Sequence, residues 1–501
     1  MENNNNNKVT FGSRFGFICA ALGMAVGTGN IWRFPRVAAA NGGAAFIIAL
    51  TVAVFVWAVP LLIAEMVMAR KTGLGVIGAT RDFMGKKFTW IGGWLTFACL
   101  GIMFYYSVVA GWTMKYFTMA VSGSLTVPGL DTAAAWESFT TNPSQTILFH
   151  FIAMLIGAIV IYKGVTEGIE KVTKIMVPAL FVMLVITAVR AVTLPGAAQG
   201  LEYLFNPDLS YLKSGKTWLE AFTQAAWSTG AGWALLMTYA VYTKKEEDLA
   251  VNCFLIGFGD VSMALIAGLA VLPTVYALSP SVEAAQAAMG AGNNGLTFIY
   301  LTQLFNVMPA GRWFASIFFL ALAFAAISSL LSMIEVGVLN LQNAGMSRKK
   351  ATMWTCGVGF LAGVPSAYSL AFLDNQDWVW GVALLISGLF IAIAMMRYGV
   401  EKARTEDINH QWADIYVGKW WSYCIQLFPV MFAVIFGWWV WQSIGWYPDN
   451  WWAPFEVFSV GTMVFQWAIV LVIGYFANDW LASKIGKGIL DSPATAEKEA
   501  K

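Results

Sequence analysis

The chain has 501 residues, 58% of them hydrophobic and only 12% charged, with a net charge of +2 and a mean hydropathy of +0.65. A soluble protein of this size carries about twice that charged fraction, and a transmembrane β-barrel would show short alternating strands. Both are excluded in favour of an all-α polytopic membrane protein surrounded by lipid, and the basic residues sit in loops, which points to no nucleic-acid partner.

Apolar runs of about 20 residues mark membrane spans. Twelve are predicted, centred near Gly23, Val54, Ile102, Leu155, Val182, Gly230, Ala264, Ala323, Gly357, Leu385, Val434 and Val470. The polar opening, Met1-Glu2 and then five Asn, shows no cleavable signal peptide. One set of alternate loops carries Arg70, Lys71, Arg81, Lys86 and Lys87, then Lys163, Lys171 and Lys174, and later Lys244, Arg348 and Arg397. The opposite set is poor in Lys and Arg. By the positive-inside rule both termini are cytoplasmic, and the few soluble segments suit a cell inner membrane. Trp446, Trp451 and Trp452 read as interfacial anchors on the outer side. The stretch 484–501 is polar and reads as a disordered tail.

The first span is anomalous. Gly23, Gly27 and Gly29 each weaken a helix by about 1 kcal/mol relative to Ala, and Asn30, Arg33 and Pro35 follow closely. The run predicts a helix broken halfway across the bilayer. Such backbone is tolerated only where it is buried in protein or lines a cavity, so it marks a binding site. In the fifth span, Gly168 and Pro178 predict either a kink or a cytoplasmic end that unwinds to admit water. A second break is predicted in the sixth span, over Trp227-Ser228-Thr229-Gly230-Ala231-Gly232-Trp233. Spans one and six are five apart, the spacing of two halves repeated with inverted topology. Cys19, Cys99, Cys253, Cys356 and Cys424 lie in apolar spans and form no disulfide framework. His150 and His410 stand alone, and neither is assigned a role.

The run Gly27-Thr28-Gly29-Asn30-Ile31-Trp32-Arg33-Phe34-Pro35, followed by Asn41-Gly42-Gly43-Ala44-Ala45-Phe46 and Pro60-Leu61-Leu62-Ile63-Ala64-Glu65, resembles the signature of the neurotransmitter:sodium symporters. Glu170-Lys171-Val172-Thr173-Lys174-Ile175-Met176-Val177-Pro178 is similar to a second stretch of that family. The likeness runs from about Phe11 to the twelfth span and is closest to bacterial members. It implies the leucine-transporter-like fold: a tail over 1–10, inverted repeats over 11–200 and 201–400, and two extra helices over 401–483.

The resemblance also implies two sodium ions. One site takes backbone carbonyls of Gly23, Val26 and Ala325 with the hydroxyls of Ser328 and Ser329, a donor set that suits a hard cation; read from residues alone, those hydroxyls bond back to their own helix. The other takes Ala25, Asn30, Ser228 and a family amide whose position is Asp260 here. An acid inside a span is a functional candidate by default. The family's chloride ligands fall on Leu50 and Ala264, which predicts chloride-independent transport.

For the solute, the resemblance implies an amino-acid carboxylate bound at Ala25, Gly27 and Gly29 and by Tyr106. It implies walls from Ile102, Trp227, Gly230, Trp233, Ser329 and Met333, with Met24 nearby. No charge faces the side chain, so a neutral amino acid, apolar or small, is expected. Taurine or a betaine-like zwitterion fits the same logic, and so does a non-transporting sensor. Arg33 and Asp377, with Gln224, are expected to form an outer gate. Lys8 and Phe11 match an inner latch whose acidic partner falls on Asn343. Glu65 is expected to support the breaks. Paired breaks favour alternating access over a channel, and no catalytic constellation suggests an enzyme.

Overall fold

The computed structural model describes residues 9–244 and 246–486, and every regular element among them is a helix. Helix α1 (Arg14–Ala25) starts at Ser13, whose hydroxyl accepts the Gly16 N–H. It ends at Ala25 because Val26 and Gly27 are extended. Helix α2 (Thr28–Ala40) resumes at an angle of 53° to it. The membrane-length helices that follow are α3 (Ala44–Thr72), α4 (Lys86–Ser122), α5 (Pro143–Tyr162) and α6 (Val165–Val192). The sixth predicted span is two pieces, α7 (Gly215–Ser228) and α8 (Leu235–Ala240). Then come α9 (Leu249–Leu278), α10 (Gly311–Asn343), α11 (Arg348–Tyr368), α12 (Leu370–Tyr398) and α13 (Trp420–Trp446). The last pair is α14 (Val460–Phe476) and α15 (Asn478–Lys484), bent by 60°.

Eight of these helices are long and apolar enough to cross a membrane alone, and ten if each bent pair counts once. Two predicted spans fall outside that count. The α7–α8 segment is interrupted over Thr229–Ala234, and α11 is diluted by Gly357, Gly359, Gly363 and short polar side chains. Helix α10 is the centre of the bundle, with 83% of its apolar stretch buried, whereas α13 has 22% and faces outward. In a bilayer the apolar outer faces need no protein cover.

One expectation about the ends changes. The polar reading of 484–501 fails at its start: Lys484 closes α15, and the carbonyls of Ile485 and Gly486 accept from the Arg81 guanidinium at 3.4 and 3.2 Å. Lys8 and residues 487–501 lie outside the described residues. The five cysteines are free and buried.

The α7–α8 interruption uses left-handed backbone at Gly230 (φ +73°), Gly232 (φ +88°) and Ala234 (φ +61°). A β-carbon on Gly232 would also stand 3.2 Å from the Gly388 Cα. Left-handed backbone costs an L-residue roughly 1–2 kcal/mol. Gly232→Ala is therefore expected to destabilise the protein by about that amount. Thermal unfolding of the purified protein in detergent checks it, and an unchanged midpoint contradicts it.

Candidate functional site

The site is built where the two interruptions meet, and each leaves backbone groups that need partners in a low-dielectric interior. At the first, the Asn30 side-chain oxygen accepts the Gly27 N–H at 3.0 Å. At the second, the fully buried Glu65 of α3 takes the Gly232 N–H on Oε1 at 2.7 Å and the Met237 N–H on Oε2 at 3.2 Å. A carboxylate holding two backbone donors fixes the α8 entrance to the neighbouring helix.

Asp260 of α9 joins the two interruptions. The Asn30 amide donates to Asp260 Oδ1 at 2.6 Å and to its carbonyl at 3.2 Å. The Ser228 hydroxyl donates to Oδ2 at 2.6 Å. Asp260 and Asn30 are almost wholly buried. Three of the four residues expected at one sodium site thus touch directly, and the fourth, Ala25, lines the adjoining cavity.

The other expected site has its parts in contact too. The Ser329 hydroxyl of α10 points at the carbonyls of Gly23 and Met24, 3.3 and 3.4 Å away. Ser328 instead bonds back to Ala325 at 3.1 Å. A β-carbon on Gly23 would lie 3.0 Å from the Ser328 Cβ, so this glycine sets the closeness of α1 and α10. Val26, at the break, is buried.

A cavity of about 520 Å³ lies beside these groups. Of the expected wall and ligand positions, Ala25, Gly27, Gly29, Tyr106, Trp227, Gly230, Trp233, Ser329 and Met333 line it, as does Met24. Ile102 does not, and that expectation is corrected: it lies one helical turn from Tyr106 on the same face of α4, but fully packed. Val109, Leu235, Val382 and Leu385 line the cavity instead. No periodicity separates them from ordinary packing residues. A β-carbon on Gly27 would sit 3.2 Å from both the Ser329 Oγ and the Tyr106 Oη. The missing side chain leaves a gap ringed by two hydroxyls, and the Tyr106 hydroxyl accepts from the Thr28 N–H at 3.4 Å. Trp233 is tied by its ring N–H to the Ala226 carbonyl at 3.2 Å. It meets Trp227 edge to face at 5.8 Å.

The outer charges are arranged differently from expectation. Arg33 pairs with Glu220 at 3.2 Å and donates to Gln224. Glu220 and Gln224 are one turn apart on α7 and reach Arg33 together. Asp377, on α12, lines the same cavity without forming an ion pair with Arg33. The sequence reading missed Glu220, although its i,i+4 spacing to Gln224 was a usable signal.

Near the start of α1, Phe11 sits among the rings of Phe17, Tyr239 and Tyr242, and its N–H bonds the Tyr242 carbonyl at 2.9 Å. Asn343 is spent elsewhere: its side-chain oxygen accepts from Gly75 N–H at 2.6 Å. The Tyr242 hydroxyl and Arg348 meet on Glu335 at 2.7 and 2.6 Å. Gly168 lies in a π-turn over Val165–Glu170 that opens α6, and Pro178 lies inside the helix.

A sequence model of the Sodium:neurotransmitter symporter family matches residues 8–141 and 137–483. The chain belongs to that family, whose members are membrane secondary transporters and not enzymes. It is 31% identical over 374 residues to the uncharacterized sodium-dependent transporter YhdH of Bacillus subtilis, covering 73% of this chain and 80% of that protein. An uncharacterized sodium-dependent transporter of Methanocaldococcus jannaschii is 31% identical over 444 residues, 85% of this chain and 89% of its own. The crystal structure of MhsT in complex with L-phenylalanine superposes with a TM-score of 0.76 at 30% identity, covering 85% of this chain and 99% of that one.

Glu220 pairs with the Arg33 guanidinium, and Asp377 is a second acid close to the same group. Their charges are therefore expected to couple. In a double-mutant cycle of Glu220→Gln and Asp377→Asn, the stability changes should depart from additivity by more than about 0.5 kcal/mol. Additive changes in thermal unfolding would show that Arg33 does not serve both.

Proposed function

We propose that the protein imports a neutral amino acid, apolar or small, together with two sodium ions, by alternating access and without chloride. The observation that carries this is the buried Asp260 carboxylate, hydrogen-bonded to Asn30 at one interruption and Ser228 at the other, both of which line the cavity. Na⁺ is a hard cation that prefers oxygen ligands, as other hard cations do. The oxygens of Asp260, Asn30, Ser228 and Ala25 are the ligands at one site. Those of Gly23, Val26, Ala325, Ser328 and Ser329 serve the other. Asp260 brings a full negative charge to the first, while the chloride positions hold Leu50 and Ala264, which are apolar and buried.

The gap at Gly27, with Tyr106 and the positive end of α2, suits a carboxylate. Met24, Trp227, Trp233 and Met333 offer its side chain an apolar wall. A charged side chain would be desolvated there without a partner. The phenylalanine bound by MhsT fits the same reading. The twelve-span architecture, with inverted repeats over 11–200 and 201–400 and helices over 401–483, belongs to this proposal. So do cytoplasmic termini and residence in the inner membrane.

In the cycle, Na⁺ and substrate enter from outside, and Arg33 exchanges its α7 partners for Asp377 across the cavity. Helices α1 and α7–α8 then rock against the rest, and the inner end of α6 opens. Each charge moved across the membrane draws about 2.3 kcal/mol per 100 mV from the potential.

Uptake of radiolabelled amino acids into proteoliposomes with an inward Na⁺ gradient tests this. Accumulation of neutral amino acids is expected, unchanged when gluconate replaces chloride. Loss of uptake in gluconate would overturn chloride independence, and binding without accumulation would mark a sensor. Asp260→Asn places an N–H against Ser228 or Asn30 and removes the charge. It is expected to raise the half-saturating Na⁺ concentration at least about tenfold, the effect of losing a charge-assisted contact. An unchanged Na⁺ dependence of uptake contradicts the assignment.

A further inference from the structure

One buried carboxylate lies outside the ion and substrate sites and grips the start of α1. Glu170 ends the π-turn Val165–Glu170 that opens α6. Its Oε2 accepts the Gly12 N–H at 2.6 Å, and its Oε1 accepts the Ser13 hydroxyl at 3.0 Å. Lys174, one turn on, completes the cluster at 2.5 Å. The Glu170 side chain is 2% exposed, while Lys174 is 35% exposed and stands at the rim. Ser13 is also the residue that caps α1. A β-carbon on Gly12 would lie 3.3 Å from the Glu170 Oε2, and one on Gly16 would overlap its carboxyl group. The first turn of α1 is shaped around this one side chain. Thr166 adds a bond to the Thr10 carbonyl at 3.2 Å between the same two segments.

The partner segment is built to deform. Gly164 precedes it with φ +98°, and a β-carbon on Gly168 would collide with the Val160 carbonyl. A π-turn is a rare departure from the α-helix that recurs at functional sites. Two soft ends are therefore held to each other by a carboxylate, and the far end of α1 carries Gly23 against Ser329.

We infer that Glu170 is the inner latch of this transporter: it locks the start of α1 to the π-turn of α6 and closes the cytoplasmic path to the Gly23–Ser329 contact. It supplies the acid that residue 343 does not, since the Asn343 side-chain oxygen is taken by the Gly75 N–H. Breaking the two bonds from Gly12 and Ser13 frees both ends at once, and Lys174 keeps the released carboxylate paired with its own helix. This inference rests on the alternating-access reading.

Cys19 of α1 is the native reporter. It is buried, between the Glu170 grip and Gly23. Cys253 of α9 is buried too, against Met66, away from the latch. The full-length protein in proteoliposomes is treated with N-ethylmaleimide in Na⁺-free buffer, and adducts are located by peptide mass mapping. Glu170→Gln is expected to speed Cys19 alkylation about tenfold over wild type, the shift that loss of charge-assisted hydrogen bonds produces, with Cys253 unchanged. Ser13→Ala, which keeps the carboxylate charge but removes its Ser13 bond together with the α1 cap, should act in the same direction more weakly. Wild-type labelling of Cys19 in both variants, or a parallel rise at Cys253 that signals general loosening, overturns the latch. The comparison of wild-type Cys19 in Na⁺ and in K⁺ tests alternating access separately: equal rates there count against that reading, while the variant-to-wild-type ratio at fixed ions judges Glu170 alone.

Discussion

Backbone amides and carbonyls freed in the middle of a membrane cannot stay bare, and this constraint organises the molecule. Two helices are interrupted beside each other, joined through Asp260, and three side chains carry the consequence. Glu65 takes the amides of Gly232 and Met237, Asn30 takes that of Gly27, and Asp260 receives both Asn30 and Ser228. Remove any of them and a polar group is stranded where its desolvation costs several kcal/mol.

The cavity follows from what is missing as much as from what is present. Gly23 lets α1 meet α10, Gly27 leaves room between the Tyr106 and Ser329 hydroxyls, and Gly29 faces open space. Around this polar floor stand Trp227 and Trp233, the latter tied to Ala226. A rigid apolar wall above a fixed polar floor separates the recognition of a substrate's charged backbone from that of its side chain.

The two mouths of the pathway use charge in contrasting ways. At one end, Arg33 lines the cavity with Asp377 and pairs with Glu220, with both side chains of that pair partly exposed. At the start of α1, the Glu170 carboxylate is almost fully enclosed and bonded to backbone as well as side chain. The difference lies in how many fixed donors each acid has.

Much of this was legible in the chain. Glycine clusters in the first and sixth apolar runs marked the interruptions because no continuous membrane helix tolerates them without cause. Asp260 stood out because an acid within a span demands a partner. The span count was less secure: interrupted or glycine-diluted helices such as α7–α8 and α11 lose the apolar length by which spans are recognised. Local composition therefore determined that the chain is a helical membrane protein broken at two places, and motif resemblance added the family. Only the tertiary structure decided which partner each charge takes. Arg33 went to Glu220 rather than Asp377, Asn343 went to Gly75, Glu170 reached Gly12 across 158 positions, and Ile102 was packed away from the cavity. Those choices depend on the relative placement of helices distant in sequence, and hydrogen bonds act over about 3 Å, far finer than any periodicity along one helix can specify.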